Sequence, residues 1–295
     1  MGTPDFAVPS LEHIIKSKHQ VVGVVTAPDK PSGRGLKITE SPVKIVALNA
    51  SIPVAQPEKL KDESFIQVLD SWDADVYVVV AFRMLPEIVW SKPPKGTFNL
   101  HASLLPKYRG AAPINWALIN GDTETGCTTF FLQQEIDTGE IILQEKTTIE
   151  PNDNFESLYN KLKYQGSELV VRTLDMIDSD TIKKQAQLGE ITHAPKIYKE
   201  LGALDFNKCC KDLHSLVKGL YPSPGCYFNL DGKNYKVYVT EYEELQTNQI
   251  PSTLITDNKT YLSIVCSDGY LKIKEIQAEG KKRLPIKEFL AGNKL

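Results

Sequence analysis

Asn99 and His101 stand two positions apart in the short run Thr97-Phe98-Asn99-Leu100-His101. Side chains alternate along an extended strand, so Thr97, Asn99 and His101 share one face while Phe98 and Leu100 share the other. An amide N–H beside an imidazole suits a reaction at a carbonyl, whose oxygen becomes negative when a nucleophile adds to carbon. The same two residue types also occur where a strand end merely satisfies the backbone of a neighbouring loop. Spacing alone does not separate these readings. The loop that follows, ASLLPKYRGAAP, holds two prolines, a glycine and the pair Tyr108-Arg109. That composition costs chain flexibility and suits the wall of a pocket for a flat ligand. Asp137 lies in EIDTGEI, just before a new β-rich run, where Asp-Thr-Gly is also an ordinary turn sequence. Its spacing alone does not establish that it meets His101.

The elements around these residues read as alternating strands and helices. Residues 20–26 (QVVGVVT), 75–81 (DVYVVVA) and 97–101 are short runs rich in strand formers without strict polar alternation, as expected of strands buried on both faces of a parallel sheet. The expected fold class is therefore α/β, a Rossmann-like, doubly wound, mostly parallel sheet whose ligands bind beyond the carboxyl ends of the strands. A helix is predicted over residues 155–177, with Leu158, Leu162, Leu169 and Leu174 near helical spacing and Asn152 or Asp153 as cap. From 179 to 199 the chain turns polar and aperiodic and reads as a linker. After a predicted helix at 207–218, β-rich runs are divided by Asp231-Gly232, Asp257-Asn258 and Asp268-Gly269, all hairpin signals. Several short strands in so small a unit predict a compact OB-like barrel. The expected division is 1–180, a linker at 181–202, and 203–295.

Composition excludes several classes. The 295 residues are 41% hydrophobic and 24% charged, enough for two globular domains. There is no run approaching the ~18 apolar residues of a membrane span and no basic start followed by an apolar signal region. Five cysteines, none in a C-x-x-C pair, suit a reducing compartment, so a soluble cytoplasmic protein is expected. The net charge of −3 argues against holding nucleic acid by bulk electrostatics, although a local basic patch is compatible with it.

The stretch NLHASLLPKYRGAAPINWALINGDTETGCTTF followed by DTGEII resembles the folate-dependent formyltransferase family, with its Asn-x-His strand end, Ser-Leu-Leu-Pro loop and later Asp. The opening GTPDFAVPSLE, the segment TAPDKPSGRG, YRGAAPI and the tail YPSPGCYF…GKKRL are similar to the branch that acts on methionyl-tRNA, so the likeness covers nearly the whole chain. This resemblance implies an enzyme with 10-formyl-tetrahydrofolate as co-substrate, initiator methionyl-tRNA as partner, and no metal; a monomer is expected. Asn99, His101 and Asp137 become the catalytic set. Folate contacts fall to Ser103, Leu104, Leu105 and Pro106 and to Phe82, Arg83, Met84 and Leu85, while Lys30, Arg34, Lys37, Lys281, Lys282 and Arg283 are the expected tRNA contacts. Asn99 and a protonated His101 would donate to the formyl oxygen as the amine attacks. Asp137 would orient His101 and favour its charged form.

The resemblance also implies a central first strand directly ahead of Gly2-Thr3-Pro4, and the chain here begins at Met1. The sheet is therefore expected to lack one strand. Two rival readings are a formyltransferase for a sugar-nucleotide amine, which shares the three catalytic residue types, and a nucleic-acid-binding module. A nucleotide-dependent dehydrogenase fits poorly, since no G-x-G-x-x-G follows the first strand.

Overall fold

A computed structural model describes residues 1–32 and 37–294. They gather into two compact units that are not consecutive in sequence. One comprises Met1–Pro113, Glu124–Thr148 and Tyr159–His193; the other comprises Ile114–Thr123, Ile149–Leu158 and Ala194–Leu295.

In the first unit helix α1 (Val8–Lys16) precedes strand β1 (Val24–Val25), helix α2 (Pro42–Asn49), strand β2 (Val54–Ala55), helix α3 (Glu63–Trp72), strand β3 (Tyr77–Val80) and strand β4 (Thr97–His101). Ser41 starts α2 by accepting the amide of Lys44 at 3.1 Å, with Pro42 at the first helical position. β1 pairs with β2 in parallel, and β3 pairs with β4 in parallel. The run expected over 20–26 is thus strand only at Val24–Val25. The parallel order stops at β4. Strand β5 (Glu124–Phe131) joins β4 antiparallel, and β6 (Ile141–Thr148) joins β5 antiparallel. This half of the fold is a Rossmann-like α/β arrangement with an antiparallel extension, where the sequence suggests a mostly parallel sheet.

Helix α4 (Phe155–Asp178) extends the expected 155–177 by one residue. Gly166 lies on it against the sheet, where an added Cβ would approach Leu100 Cδ2 at 2.8 Å and Cys127 Sγ at 3.3 Å. Thr173 reinforces that contact through its hydroxyl, 2.7 Å from that of Thr129. The Leu100 face of β4 is therefore sealed by α4, which leaves the Asn99 and His101 face for the site.

The second unit contains helix α5 (Cys210–Leu220), strands β7 (Cys226–Leu230), β8 (Lys233–Glu244), β9 (Leu254–Thr256), β10 (Leu262–Val265), β11 (Gly269–Ala278) and β12 (Leu284–Pro285), and helix α6 (Ile286–Gly292). The strands form one antiparallel sheet in the order β7-β8-β11-β10-β9, with β12 on β11. All three hairpin signals fall at connections between antiparallel strands, with Gly269 itself opening β11. Asp231 and Gly232, at φ 50° and 74°, supply the two left-handed positions of a tight hairpin between β7 and β8. Leu213, Val217 and Leu220 of α5 pack with Val237, Ile264, Leu271 and Phe289 in the core of this unit.

Candidate active site

Strand β4 sets Asn99 and His101 on one face, as alternation requires. The loop after it folds back on the strand end through a series of polar contacts. Ser103 Oγ donates to the Lys107 carbonyl at 2.6 Å, and Thr128 Oγ1 donates to the Ser103 carbonyl at 2.6 Å. Gln144 Nε2 donates to the Leu105 carbonyl at 2.8 Å. Ser103, Leu105 and Pro106 are consequently buried, with Leu105 packed against Phe130 and Ile141. Leu104 is half-buried.

His101 is buried, its Nε2 lies 2.8 Å from the Tyr108 carbonyl, and Phe130 meets its ring edge-on at 6.5 Å. A carbonyl oxygen only accepts, so Nε2 carries the hydrogen and Nδ1 is the free nitrogen of the neutral ring. That Nδ1 lies 3.9 Å from Asp137 Oδ2. The gap is an ion-pair distance for a charged imidazole and too long for a hydrogen bond. Asp137 Oδ2 in turn accepts the Gly110 amide at 2.8 Å. The Asn99 side chain is half-buried and makes no hydrogen bond to a described residue.

Positive φ angles occur at three positions here. Tyr108 and Asp137 occupy left-handed conformations at φ 61° and 55°, and Gly110 sits at φ 124°. Two residues from the segment that reads as a linker hold these positions. Gln187 Nε2 donates to the carbonyls of Asp137 and Gly139 at 2.8 and 2.9 Å, while its Oε1 accepts Arg109 Nε and Nη2 at 3.1 and 2.6 Å. Thr192 receives the amide of Tyr108 on its hydroxyl at 2.9 Å and the amide of Arg109 on its carbonyl at 2.9 Å. Neither residue carries a local sequence signal, because each acts on backbone 48 to 84 positions away.

The other expected contacts are dispersed. Phe82 and Leu85 pack on the cluster around Val25, Leu69 and Val79. Arg83 donates to the carbonyls of Pro57 and Glu58, and Met84 is 71% exposed. Lys30 lies exposed in the two-stranded hairpin Lys30–Ser32 with Lys37–Thr39; Arg34 falls outside the described residues, and for Lys37 only the backbone is described. In the second unit Lys281 and Lys282 are exposed. Arg283 instead pairs with Glu275 at 2.6 Å, donates to Tyr221 and lies over the ring of Tyr238 at 4.5 Å. Among the described residues no group of three or more His, Cys, Asp or Glu side chains is disposed to hold a metal ion.

Residues 1–174 match the formyl transferase family, and residues 196–294 match the formyl transferase C-terminal domain. The chain belongs to the formyltransferase family. Within it, the chain is 50% identical over 305 residues to the methionyl-tRNA formyltransferase of Bacteroides thetaiotaomicron, covering 100% of this chain and 95% of that relative. A methionyl-tRNA formyltransferase of Thermodesulfovibrio yellowstonii is 44% identical over 295 residues, covering 100% and 95%. Among solved formyltransferases, WlaRD, a sugar 3N-formyl transferase crystallised with dTDP and 5-N-formyl-THF, superposes with a TM-score of 0.69 at 20% identity, over 95% of this chain and 97% of that one. At that identity the likeness establishes the shared fold. It agrees with an α/β part followed by a smaller antiparallel sheet.

Proposed function

We propose that this formyltransferase moves the formyl group of 10-formyl-tetrahydrofolate onto the amino group of initiator methionyl-tRNA. The observation that carries the substrate is the full-length identity of 50% to a relative named for that reaction. The site geometry supplies a mechanism. The free amide of Asn99 meets the formyl oxygen and stabilises its negative charge as the amine adds to carbon. His101, held as its Nε2–H tautomer by the Tyr108 carbonyl, takes a proton from that amine on Nδ1. Asp137 Oδ2, at 3.9 Å, lies within ion-pair reach of the imidazolium so formed. The imidazolium then returns a proton to the departing N10 of the folate, and the new amide is released. Proton and electron counts balance without a further reactant.

The buried side chains of Leu105 and Pro106 fix the loop, so the folate meets Leu104 and backbone groups of this segment rather than those two side chains. In the second unit the antiparallel sheet works as a partly open OB-like barrel, with Lys281 and Lys282 on the phosphates of the tRNA. Arg283 holds Tyr221 and Tyr238 in place beside them. The enzyme acts as a cytoplasmic monomer. Incubation with 10-formyl-tetrahydrofolate and either methionyl-tRNA or a dTDP-amino sugar tests the reading. N-formylmethionine recovered from the tRNA supports it, and transfer to the sugar alone refutes it.

A further inference from the structure

The ammonium of Lys44, in the first turn of α2, lies 2.5 Å from a carboxylate oxygen of Asp29 and 2.8 Å from one of Glu40. Asp29 directly precedes the hairpin Lys30–Ser32 with Lys37–Thr39, and Glu40 directly follows it. One cation thus closes the base of the hairpin across both of its ends. Gln56 Nε2 adds bonds to Asp29 Oδ1 at 2.7 Å and to the Ala27 carbonyl at 2.9 Å. Lys44 first and Gln56 second hold the Asp29 carboxyl below its usual range. The anchor is itself fixed, because Ser41 caps α2 and its hydroxyl lies 2.7 Å from that of Thr26, the residue after β1.

Packing contributes little to holding the hairpin. It pairs at only three positions, and Lys30, Pro31, Ile38 and Thr39 are all exposed. A two-stranded ribbon of that length without a buried face is marginal in water. Its direction is therefore set at its base. That base stands on the same edge of the fold as the reacting residues. β1 is parallel to β2, and β3 to β4. Gln56, just after β2, bonds the carbonyl of Ala27, just after β1, while Arg83, just after β3, donates to the carbonyls of Pro57 and Glu58. The carboxyl ends of all four strands consequently share one rim, and His101 ends β4 there.

We propose that Lys44 is a positioning residue for the acceptor: by clasping Asp29 to Glu40 it sets the hairpin at this rim in the orientation that receives the phosphates of the tRNA acceptor end. The inference rests on methionyl-tRNA being the acceptor. Lys44 makes no phosphate contact itself, since two carboxylates occupy its ammonium. Without that ammonium the two carboxylates repel each other across the base of the hairpin. The hairpin then samples many directions, and affinity for the acceptor falls with the fraction still oriented.

The test measures formylation of methionyl-tRNA by the parent enzyme, by Lys44→Met, by Lys44→Arg and by the double variant Asp29→Asn/Lys44→Met. Lys44→Met is expected to raise the KM for methionyl-tRNA about tenfold, as for an oriented fraction of about one in ten, with kcat and the KM for 10-formyl-tetrahydrofolate unchanged. Lys44→Arg, which can still bridge two carboxylates, restores the tRNA KM to within about twofold of the parent. The double variant is no worse than Lys44→Met, because Lys44 acts through Asp29. The dependence of log KM on log salt keeps the parent slope, whereas a cation seated on a phosphate changes it by about one when removed. An unchanged tRNA KM in Lys44→Met, whether or not the urea midpoint falls, overturns the proposal, and so does a salt slope lowered by about one. Should Lys44→Met fail to fold, Glu40→Gln is read instead: a rise of about threefold in the tRNA KM supports the clasp, and none overturns it. A parent enzyme that formylates no methionyl-tRNA overturns the substrate reading and the clasp with it, whereas an active parent with an unchanged variant overturns the clasp alone.

Discussion

Replacing Gln187 by Met keeps a side chain of similar length and removes every polar contact it makes. Lost are two bonds donated to the carbonyls of Asp137 and Gly139 and two accepted from Arg109. Each is worth about 1 kcal/mol net, and because Gln187 is half-buried, water recovers part of the total. The loop must also hold Asp137 at φ 55°, a conformation that costs roughly 1 kcal/mol and that these anchors offset. A loss of about 2 kcal/mol from the closed arrangement is expected, which is about thirtyfold in the fraction of enzyme with Asp137 beside His101. Single-turnover formylation of methionyl-tRNA should fall by that factor, with the KM for the formyl donor little changed. Gln187→Glu separates the two halves of the contact, since it keeps acceptors for Arg109 and loses both donors to the loop. If anchoring of the Asp137 loop is what matters, Glu behaves like Met. A Gln187→Met enzyme within twofold of the parent would refute the reasoning, and full activity in Gln187→Glu would move the role to Arg109.

Further outcomes follow from single contacts. Asn99→Ala should lower kcat by about a hundredfold, as for loss of one oxyanion donor, with the melting temperature unchanged because the amide makes no hydrogen bond to a described residue. In Gly139→Ala the new Cβ would stand 1.6 Å from the Phe131 carbonyl oxygen, so the 132–140 loop must move; activity should be lost while circular dichroism reports a folded chain. Burial pushes the His214 imidazole to about 4, with Lys218 lowering it and Glu241 opposing. An unfolded histidine takes its proton near 6.5, so this contribution is intact above 6.5 and is lost as pH falls towards 4, by about 3 kcal/mol in total. His214→Gln should flatten the dependence of the urea midpoint between pH 7 and 4.5, and an unchanged slope would show that the burial is not felt.

The parts of the fold written in local sequence were legible. Thr97–His101 was bounded correctly because its strand formers lie between turn-forming neighbours, and α4 because its leucines recur at helical spacing. The three strand connections were marked by Asp-Gly and Asp-Asn pairs; Asp231, Gly232 and Asn258 take left-handed conformations there, whereas Asp268 and Gly269 do not. The antiparallel course of β5 on β4 was not legible, since strand direction is fixed by pairing and not by composition. The site divides in the same way. Alternation placed Asn99 and His101 on one face, but Asp137 reaches His101 only through an extended loop, and Gln187 and Thr192 act through side-chain contacts to distant backbone. A polar, aperiodic stretch such as 179–199 looks like a linker because polar side chains that bond to backbone leave no periodic trace. The nitrogen by which His101 faces the site was equally hidden, being set by the Tyr108 carbonyl.

The most direct measurement follows a ¹³C-labelled formyl group from 10-formyl-tetrahydrofolate in the parent enzyme and in His101→Ala. The account predicts that the label appears on the amino nitrogen of tRNA-bound methionine, and that His101→Ala binds both substrates with little change in Kd while turnover falls about a thousandfold. Label delivered to an amino sugar and not to methionyl-tRNA, or a His101→Ala enzyme that still turns over at the parent rate, would contradict it.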